Sequence, residues 1–350
     1  MSRREKRGQP LEALIARIGL PGRAVTVTVA ENLSTVLACV SAICSGLSSL
    51  PVYLYRQDSN GRSQVTSHPV ARLLRQPNRH QSWPNYLETT LASTLLFGNG
   101  VSVIEYDGRG APTALRPVLW TQCVVSLMAS GRLAYDLTLP TLFGPSDPPQ
   151  RFFDDSILHF RDRSDDSLIG RSRISRAPGV ISNAAGLQEF TANFWEDGLA
   201  PGAVLKHPRS VTQPARDRLK ADFDAHRGGT KRKTILLEEG LDLSLLSVSP
   251  EAAEVLASRR FTVAELCRLF QVPPIVVGDF EHASLQNAQQ AARWFCVFTL
   301  APWAKKIEAE IARALLPEDG SLFVQFDMSE LLRGDPEAQM ASLISGVTNG

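Results

Sequence analysis

The segment from Ile235 to Leu316 narrows most sharply what this chain can fold into. Two helical patterns flank a short loop, and a Pro-Pro pair separates the first helix from that loop. Ser249 is placed to cap a helix, Pro250 suits its first turn, and Glu251 favours the positive end of the helix dipole. Leu256, Val263, Leu266 and Phe270 recur at helical spacing and form one apolar stripe. Val272-Pro273-Pro274 closes this helix, expected over 250–272, because the residue before a proline is driven out of the helical region. After Ile275-Val276-Val277-Gly278, the stretch 279–287 is polar and holds two acids, Asp279 and Glu281, with His282 and no Lys or Arg. A second helix is expected over 288–316, on the order of 40 Å long at the usual rise per residue. Ile307, Ile311 and Leu315 lie on its late apolar face, and Pro302 predicts a kink. The layout suits a wall helix, a loop pushed into a lumen and a long helix buttressing both. No residue set in it has the makeup of an active site.

The remainder reads as a mixed α/β body. Asn32 to Tyr55 carries no charge, but Leu33, Val36, Leu37, Val40, Cys44 and Leu47 form a stripe opposite Ser34, Ser41, Ser45 and Ser48. That pattern predicts a packed helix over 32–49, ended by Pro51, and not a membrane span. A strand follows from Pro51 to Arg56, with a turn at Asp58-Ser59-Asn60-Gly61. Ser82 and Pro84 open a helix that runs to Phe97. Strands at Val101–Tyr106 and Leu115–Val118 are joined by Asp107-Gly108-Arg109-Gly110, and 120–160 reads as short strands around a Pro-rich loop. Residues 170–198 read as one helix that packs through Ile181, Ala185, Leu187 and Phe190. Strands near Ala203–Leu205 and Ile235–Leu237, with a helix over Pro214–His226, make an insertion. A last strand, Leu322–Phe326, precedes a helix beginning at Pro336. Met1 to Arg7 is basic and an arginine interrupts the apolar stretch behind it, so no secretory signal is expected.

Composition removes several classes of function. The 350 residues are 43% hydrophobic and 21% charged, with a net charge of +1, which argues against a dedicated tight DNA binder. The five cysteines form no CxxC pair and their number is odd, so buried free thiols are expected in place of a disulfide or zinc framework. The six histidines form no metal-binding pair, and no cofactor or metal is expected. There is no phosphate loop, and Gly170-Arg171-Ser172-Arg173-Ile174 fails the nucleophile-elbow pattern at its last position. The paired acids Asp154-Asp155 and Asp165-Asp166 keep a metal-dependent nuclease, or another phosphodiester enzyme, as the alternative reading, although turn chemistry accounts for them. His159, between Leu158 and Phe160, reads as a strand histidine and not a base.

Nine cations (Lys206, Arg209, Arg216, Arg218, Lys220, Arg227, Lys231, Arg232, Lys233) face three acids (Asp217, Asp222, Asp224) in one short stretch. Three readings stay open. The stretch is a solvated helix face and basic turn, or a docking surface or collar for an acidic partner or DNA, or a mate for the acidic stretch 238–254 of a neighbouring copy.

Several stretches in this order resemble the portal proteins of long-tailed bacteriophages, also found in prophages and gene transfer agents. They are Leu256 to Asp279 and Leu300 to Leu316, with His68-Pro69, Leu73-Leu74 and Pro77-Asn78, then Leu96-Phe97-Gly98-Asn99-Gly100, Leu158-His159-Phe160, Gly198-Leu199-Ala200-Pro201-Gly202 and Leu237-Glu238-Glu239-Gly240. The likeness spans roughly residues 30–345. The resemblance implies an α+β fold: a basic lead-in (1–29), a mixed α/β wing (30–169), and two stem helices (170–198 and 250–272). A small α/β clip (199–248) lies between them, followed by a tunnel loop (279–287) and a long kinked wing helix (288–316). A strand and the start of a truncated crown (317–350) end the chain, so the crown is expected to be mostly absent. The resemblance also implies a non-enzymatic ring of typically twelve copies at one capsid vertex. Duplex DNA would pass through it, and the terminase large subunit and a head–tail adaptor would dock on it beside capsid, scaffold or protease proteins. Tunnel-loop contacts with DNA would come from Asp279, Glu281, His282, Ser284, Gln286 and Asn287. Partner docking would come from Lys206, Arg209, Lys231, Arg232 and Lys233. The expected location is the virion, with assembly in the host cytoplasm and no membrane. Two departures stand out. The family often shows Gly-x-Ser-Pro where this chain has Gly170-Arg171-Ser172-Arg173, and an acid before the Gln where this chain has Asn287-Ala288-Gln289.

Overall fold

The computed structural model describes residues 26–58, 61–141, 144–145, 149–196, 203–206, 242–245, 249–280 and 285–329. The uncharged, serine-bearing stripe folds as α2 (Ser34–Ser48), preceded by α1 (Val27–Glu31), which Thr26 caps and which lies partly within the expected lead-in. Val36, Cys39, Val40, Ile43, Cys44 and Leu47 turn inward, whereas Leu37 stays 55% exposed. Ser48 is buried and donates to Glu88 at 3.1 Å.

Strand β1 (Val52–Asp58) pairs antiparallel with β2 (Gly61–Gln64) and with the distant β13 (Leu322–Phe326). After α3 (Pro69–Leu73), helix α4 (Trp83–Phe97) starts with Pro84 in its first turn and stops at Gly98, whose left-handed backbone (φ 89°) donates to Thr94 O. Glycine suits that conformation because it lacks a Cβ. Strands β3 (Asn99–Tyr106), β4 (Pro112–Val118) and β10 (Ile157–Arg161) form a second sheet in the order β10-β3-β4. Strands β5 (Cys123–Leu127), β6 (Leu133–Leu137) and β9 (Gln150–Phe153) form a third. A two-residue pair, β7 (Pro140–Thr141) and β8 (Gly144–Pro145), lies in the Pro-rich stretch. One apolar cluster runs through both of these sheets, from Val101 and Val103 to Trp120, Val125, Tyr135, Leu137 and Ile157.

Residues 170–198 are not one helix. After an extended Gly170–Ser172, α5 (Arg173–Arg176) ends at Ala177, and α6 (Pro178–Glu196) then begins. Ala177 sits at φ −129°, ψ 54°, outside the helical region that a following proline disfavours. Of the expected packing positions, Ile181 is buried, Ala185 and Leu187 are half-buried, and Phe190 is 52% exposed. Strand β11 (Ala203–Lys206) pairs antiparallel with β12 (Asp242–Leu245), and the expected strand over 235–237 lies outside the described residues. The expected helices over 214–226 and from Pro336 lie outside the described residues. The chain divides into two compact units, residues 182–263 and everything else.

Helix α7 (Ser249–Phe270) brings the chain back to the larger unit, and a short 3-10 turn (Pro274–Val277) follows. Next come α8 (Leu285–Trp294), a π-helical turn (Phe295–Leu300) and α9 (Ala301–Leu315). The long helix therefore begins earlier than expected. Pro302 sits at the start of α9, and the turn before it is π-helical, with Ala301 N–H bonding Cys296 O. Proline has no N–H to give the preceding turn, so the irregularity expected at Pro302 falls one turn upstream.

Helix α9 completes the edges of two sheets. Glu308 accepts from Phe326 N (2.8 Å) on edge strand β13, while Glu310 accepts from His159 N (3.1 Å) and Arg313 donates to Ile157 O (3.1 Å) on edge strand β10. Edge groups that would otherwise template pairing with another chain are thus occupied. Ile307 and Ile311 are fully buried beneath. Among the described residues, no helix is long and apolar enough to cross a membrane.

Candidate channel segment and the polar junction at its base

Stretches far apart in the sequence meet at Asn99. Its Oδ1 accepts from Gly170 N (2.8 Å) and lies 2.9 Å from His159 Nε2, and its Nδ2 donates to Gly170 O (2.8 Å). Asn99 thereby grips the Gly170 backbone through both of its polar groups, as a strand would. His159 Nδ1 accepts from Arg161 Nε (3.2 Å) and lies 3.0 Å from Tyr135 Oη. This pattern puts the imidazole proton on Nε2, facing Asn99. Burial, then Arg161 and Arg313, hold His159 well below the usual histidine range, so it stays neutral. Its ring stacks on Trp120 with centroids 5.9 Å apart.

The backbones here approach too closely for any side chain. A Cβ on Gly170 would lie 2.0 Å from Gly98 O, and one on Gly98 would lie 2.6 Å from Ser172 N. Ser172 caps α5 by accepting from Ile174 N (3.1 Å) and donates to Leu96 O (2.5 Å). Arg173 occupies the first helical position of α5. There its guanidinium binds Asp162 (2.7 Å) and Leu269 O (3.3 Å) and lies 5.6 Å above the Trp303 ring. Arg173 therefore links the residue that follows β10, the end of α7 and α9.

The end of α7 begins the candidate channel segment. Gln271 takes a left-handed conformation (φ 60°), and Val272 N reaches back to Cys267 O at 2.9 Å. This is the helix-ending arrangement usually given to glycine. Thr299 Oγ1, from the π-helical turn, donates to Gln271 O. Gly278 (φ 89°) then redirects the chain, and Asp279 N bonds Pro274 O at 3.1 Å. Asp279 is half-buried and Phe280 is 67% exposed. Between the end of α7 and α8 lies a groove of 750 Å³ whose walls include Cys267, Gln271, Pro274, Asn287 and Trp294. The π-helical turn directs Phe295, Cys296, Thr299 and Leu300 inward and leaves Val297 and Phe298 exposed; Trp294 is also exposed and lies 5.3 Å from the Phe298 ring.

Of the residues expected to line a channel, Asp279 sits on the chain leaving the 3-10 turn. Gln286 and Asn287 belong to α8 and not to the loop, because the helix starts at Leu285. Glu281, His282 and Ser284 lie outside the described residues, as do Arg209, Lys231, Arg232 and Lys233. Lys206 ends β11, opposite Asp242. The acids that kept the nuclease reading open are engaged elsewhere. Asp154 and Asp155 bind Arg132, and Asp165 binds Arg171 and Arg176. Asp166 accepts from Leu168 N, Ile169 N and Ser164 Oγ. Sequence reasoning missed the exposed Phe280, Trp294, Val297 and Phe298, since apolar periodicity does not say which apolar face lacks a partner. It also missed the junction, although Gly98-Asn99, His159 and Gly170 each stood in a separate motif.

Comparison with known proteins identifies the family. The family model described as phage portal protein matches residues 34–350. The portal protein of Enterobacteria phage HK97 is 29% identical over 319 residues, covering 89% of this chain and 74% of that protein. Two solved structures share the fold. An HK97-family phage portal protein from Corynebacterium diphtheriae has a TM-score of 0.64 at 17% identity, covering 90% of this chain and 100% of that one. A chain in the neck of a native gene transfer agent particle, computed with C12 symmetry, has a TM-score of 0.62 at 18% identity, covering 96% of this chain and 94% of that one.

Proposed function

The chain belongs to the phage portal protein family, and we propose that it acts as one subunit of a twelve-membered ring at a capsid vertex, through whose bore duplex DNA passes during packaging and ejection. The observation that carries this reading is the segment from Gln271 to Phe298. Two left-handed residues turn the chain off the end of a helix, and the chain emerges with a carboxylate and an exposed apolar strip that the described residues leave uncovered. On this reading the strip meets the adjacent subunit and the loop 279–284 lines the bore. The C12 symmetry of the neck that shares its fold supports the twelvefold ring.

The bore works by not gripping. A surface that holds phosphates tightly with many cations stalls a sliding duplex, because each neutralised phosphate adds affinity. Asp279 and Glu281, with no Lys or Arg between 279 and 287, keep the backbone of DNA centred by repulsion. The chain's role is structural, and work on DNA comes from a docked packaging ATPase, the terminase large subunit. The basic stretch containing Lys206, Arg209, Lys231, Arg232 and Lys233 is the docking surface for it and, later, for a head–tail adaptor. The protein assembles in the host cytoplasm and ends in the virion beside capsid, scaffold or protease proteins. A packaging reaction with Asp279→Lys and Glu281→Lys together tests the reading. Rings are expected to assemble while packaging slows, more so at low salt. Unaltered packaging at low salt contradicts a DNA-facing loop.

A further inference from the structure

We propose that the pocket between the end of β10 and helix α9 is a site for a phosphate dianion, either free phosphate or the terminal phosphate of a nucleotide. The pocket has a volume of 570 Å³ and lies between residues 159–164 and the face of α9 that carries Trp303, Lys306, Glu310 and Arg313. It lies within the larger compact unit, so a single chain builds it. Four of its lining residues are cations (Arg161, Arg163, Lys306, Arg313) and two are acids (Asp162, Glu310). Both acids are already engaged. Asp162 binds Arg173, which comes from outside the pocket, at 2.7 Å, and Glu310 binds Arg313 at 2.7 Å. Lys306 reaches Asp162 only at 3.8 Å, and no carboxylate among the described residues lies within ion-pair distance of Arg161 or Arg163.

Two of these cations are held in place without being neutralised. Arg161 is half-buried and donates through Nε to His159 Nδ1 (3.2 Å) and through Nη2 to Tyr135 Oη (3.4 Å), both uncharged partners. These bonds leave its Nη1 hydrogens for a ligand. Lys306 sits over the Trp303 ring, 4.7 Å from the centroid. Burial pushes its ammonium below the ordinary lysine value despite Asp162. An anion in the pocket would favour the charged form.

The charge balance selects the ligand. A carboxylate or a phosphodiester brings one negative charge, too few for Arg161, Arg163 and Lys306 together. Free phosphate or a phosphate monoester brings nearly two, with three oxygens or more to accept hydrogen bonds. Guanidinium and ammonium groups are the usual partners of such oxygens. A concave pocket of this size takes a small molecule, whereas the phosphates of a duplex lie on a convex surface.

Equilibrium dialysis of the purified full chain with radiolabelled phosphate, at about pH 8 and fixed ionic strength in sodium chloride, tests the site. Saturable binding of one phosphate per chain is expected. Lys306→Gln and Arg163→Gln should each weaken it on the order of tenfold, the size of one hydrogen bond to a charged group. Arg161→Gln should weaken it at least as much. Lys305→Gln should leave it unchanged, since that side chain is 71% exposed and lines a different pocket. Circular dichroism checks the fold of each variant, and the two surface variants decide the matter if Arg161→Gln does not fold. Adenosine monophosphate that displaces the label more strongly than unlabelled phosphate assigns the site to a nucleotide; equal or weaker displacement assigns it to free phosphate. No saturable binding, or binding unchanged in both Lys306→Gln and Arg163→Gln, overturns the proposal. Displacement by adenosine, or by duplex DNA at equal phosphate concentration, overturns it as well.

Discussion

The junction around Asn99 and the strip around Trp294 belong to one polypeptide but are finished in opposite ways. At the junction, Asn99, His159 and the Gly170 backbone satisfy one another completely, deep inside the chain. At the strip, Trp294, Val297 and Phe298 are 43%, 48% and 56% exposed. Single exposed apolar residues are ordinary, but a cluster of large ones marks a surface meant for contact. On the proposed reading, the difference separates what this chain completes alone from what it leaves for another copy. Damage to the first should unfold the subunit, and damage to the second should leave a sound subunit that no longer assembles.

The largest effect is expected from Asn99→Leu. It strands Gly170 N–H, Gly170 C=O and His159 Nε2 without partners, and at about 1–3 kcal/mol for each buried group the loss is on the order of 4 kcal/mol. Urea denaturation measures it, and a loss below about 1 kcal/mol would break the comparison by showing the junction to be dispensable.

Acid should act on the same place. His159 is held neutral well below its ordinary 6.5, so the unfolded chain takes up a proton there that the folded chain refuses. Stability from this group is full above pH 6.5 and falls as pH drops below it, by up to about 1.4 kcal/mol per pH unit for one proton. His68 is also depressed by burial and adds in the same direction. Denaturation curves between pH 7 and pH 5 should therefore be steeper for the wild type than for His159→Gln; identical slopes would place the acid sensitivity elsewhere.

A smaller effect of opposite sign is expected at the boundary between the two regions. Gln271→Gly relieves a left-handed backbone (φ 60°) and should gain up to about 1 kcal/mol, visible as a raised urea midpoint. The smallest effect belongs to the strip. Trp294→Ser with Phe298→Ser should change the stability of the isolated subunit by no more than roughly 0.5 kcal/mol, as for exposed positions generally. A large destabilisation there would mean that the strip is packed within its own chain.

Much of this was legible in the sequence, and what was not has identifiable causes. The stripe of α2, the Ser82–Phe97 helix and the Pro-Pro stop were readable because spacing, caps and proline sterics are local. The break at Ala177 was signalled by Pro178 but overlooked in favour of helical spacing on both sides. Leu37 and Phe190 fit apolar stripes by position yet lie exposed, since a stripe wider than its partner leaves its margin uncovered. The start of α8 at Leu285 was hidden by a polar composition that helices and loops share. The junction was unreadable for a different reason. Asn99, His159 and Gly170 lie far apart in sequence, and no local pattern announces that they meet.

Electron microscopy and native mass spectrometry of the purified full chain, wild type beside the Trp294→Ser, Phe298→Ser variant, test the account most directly. The wild type is expected to form closed rings with a central hole, and the variant single subunits with an unchanged urea midpoint. Wild-type protein that stays monomeric at micromolar concentration in several salts, or a variant that forms the same rings, would contradict it.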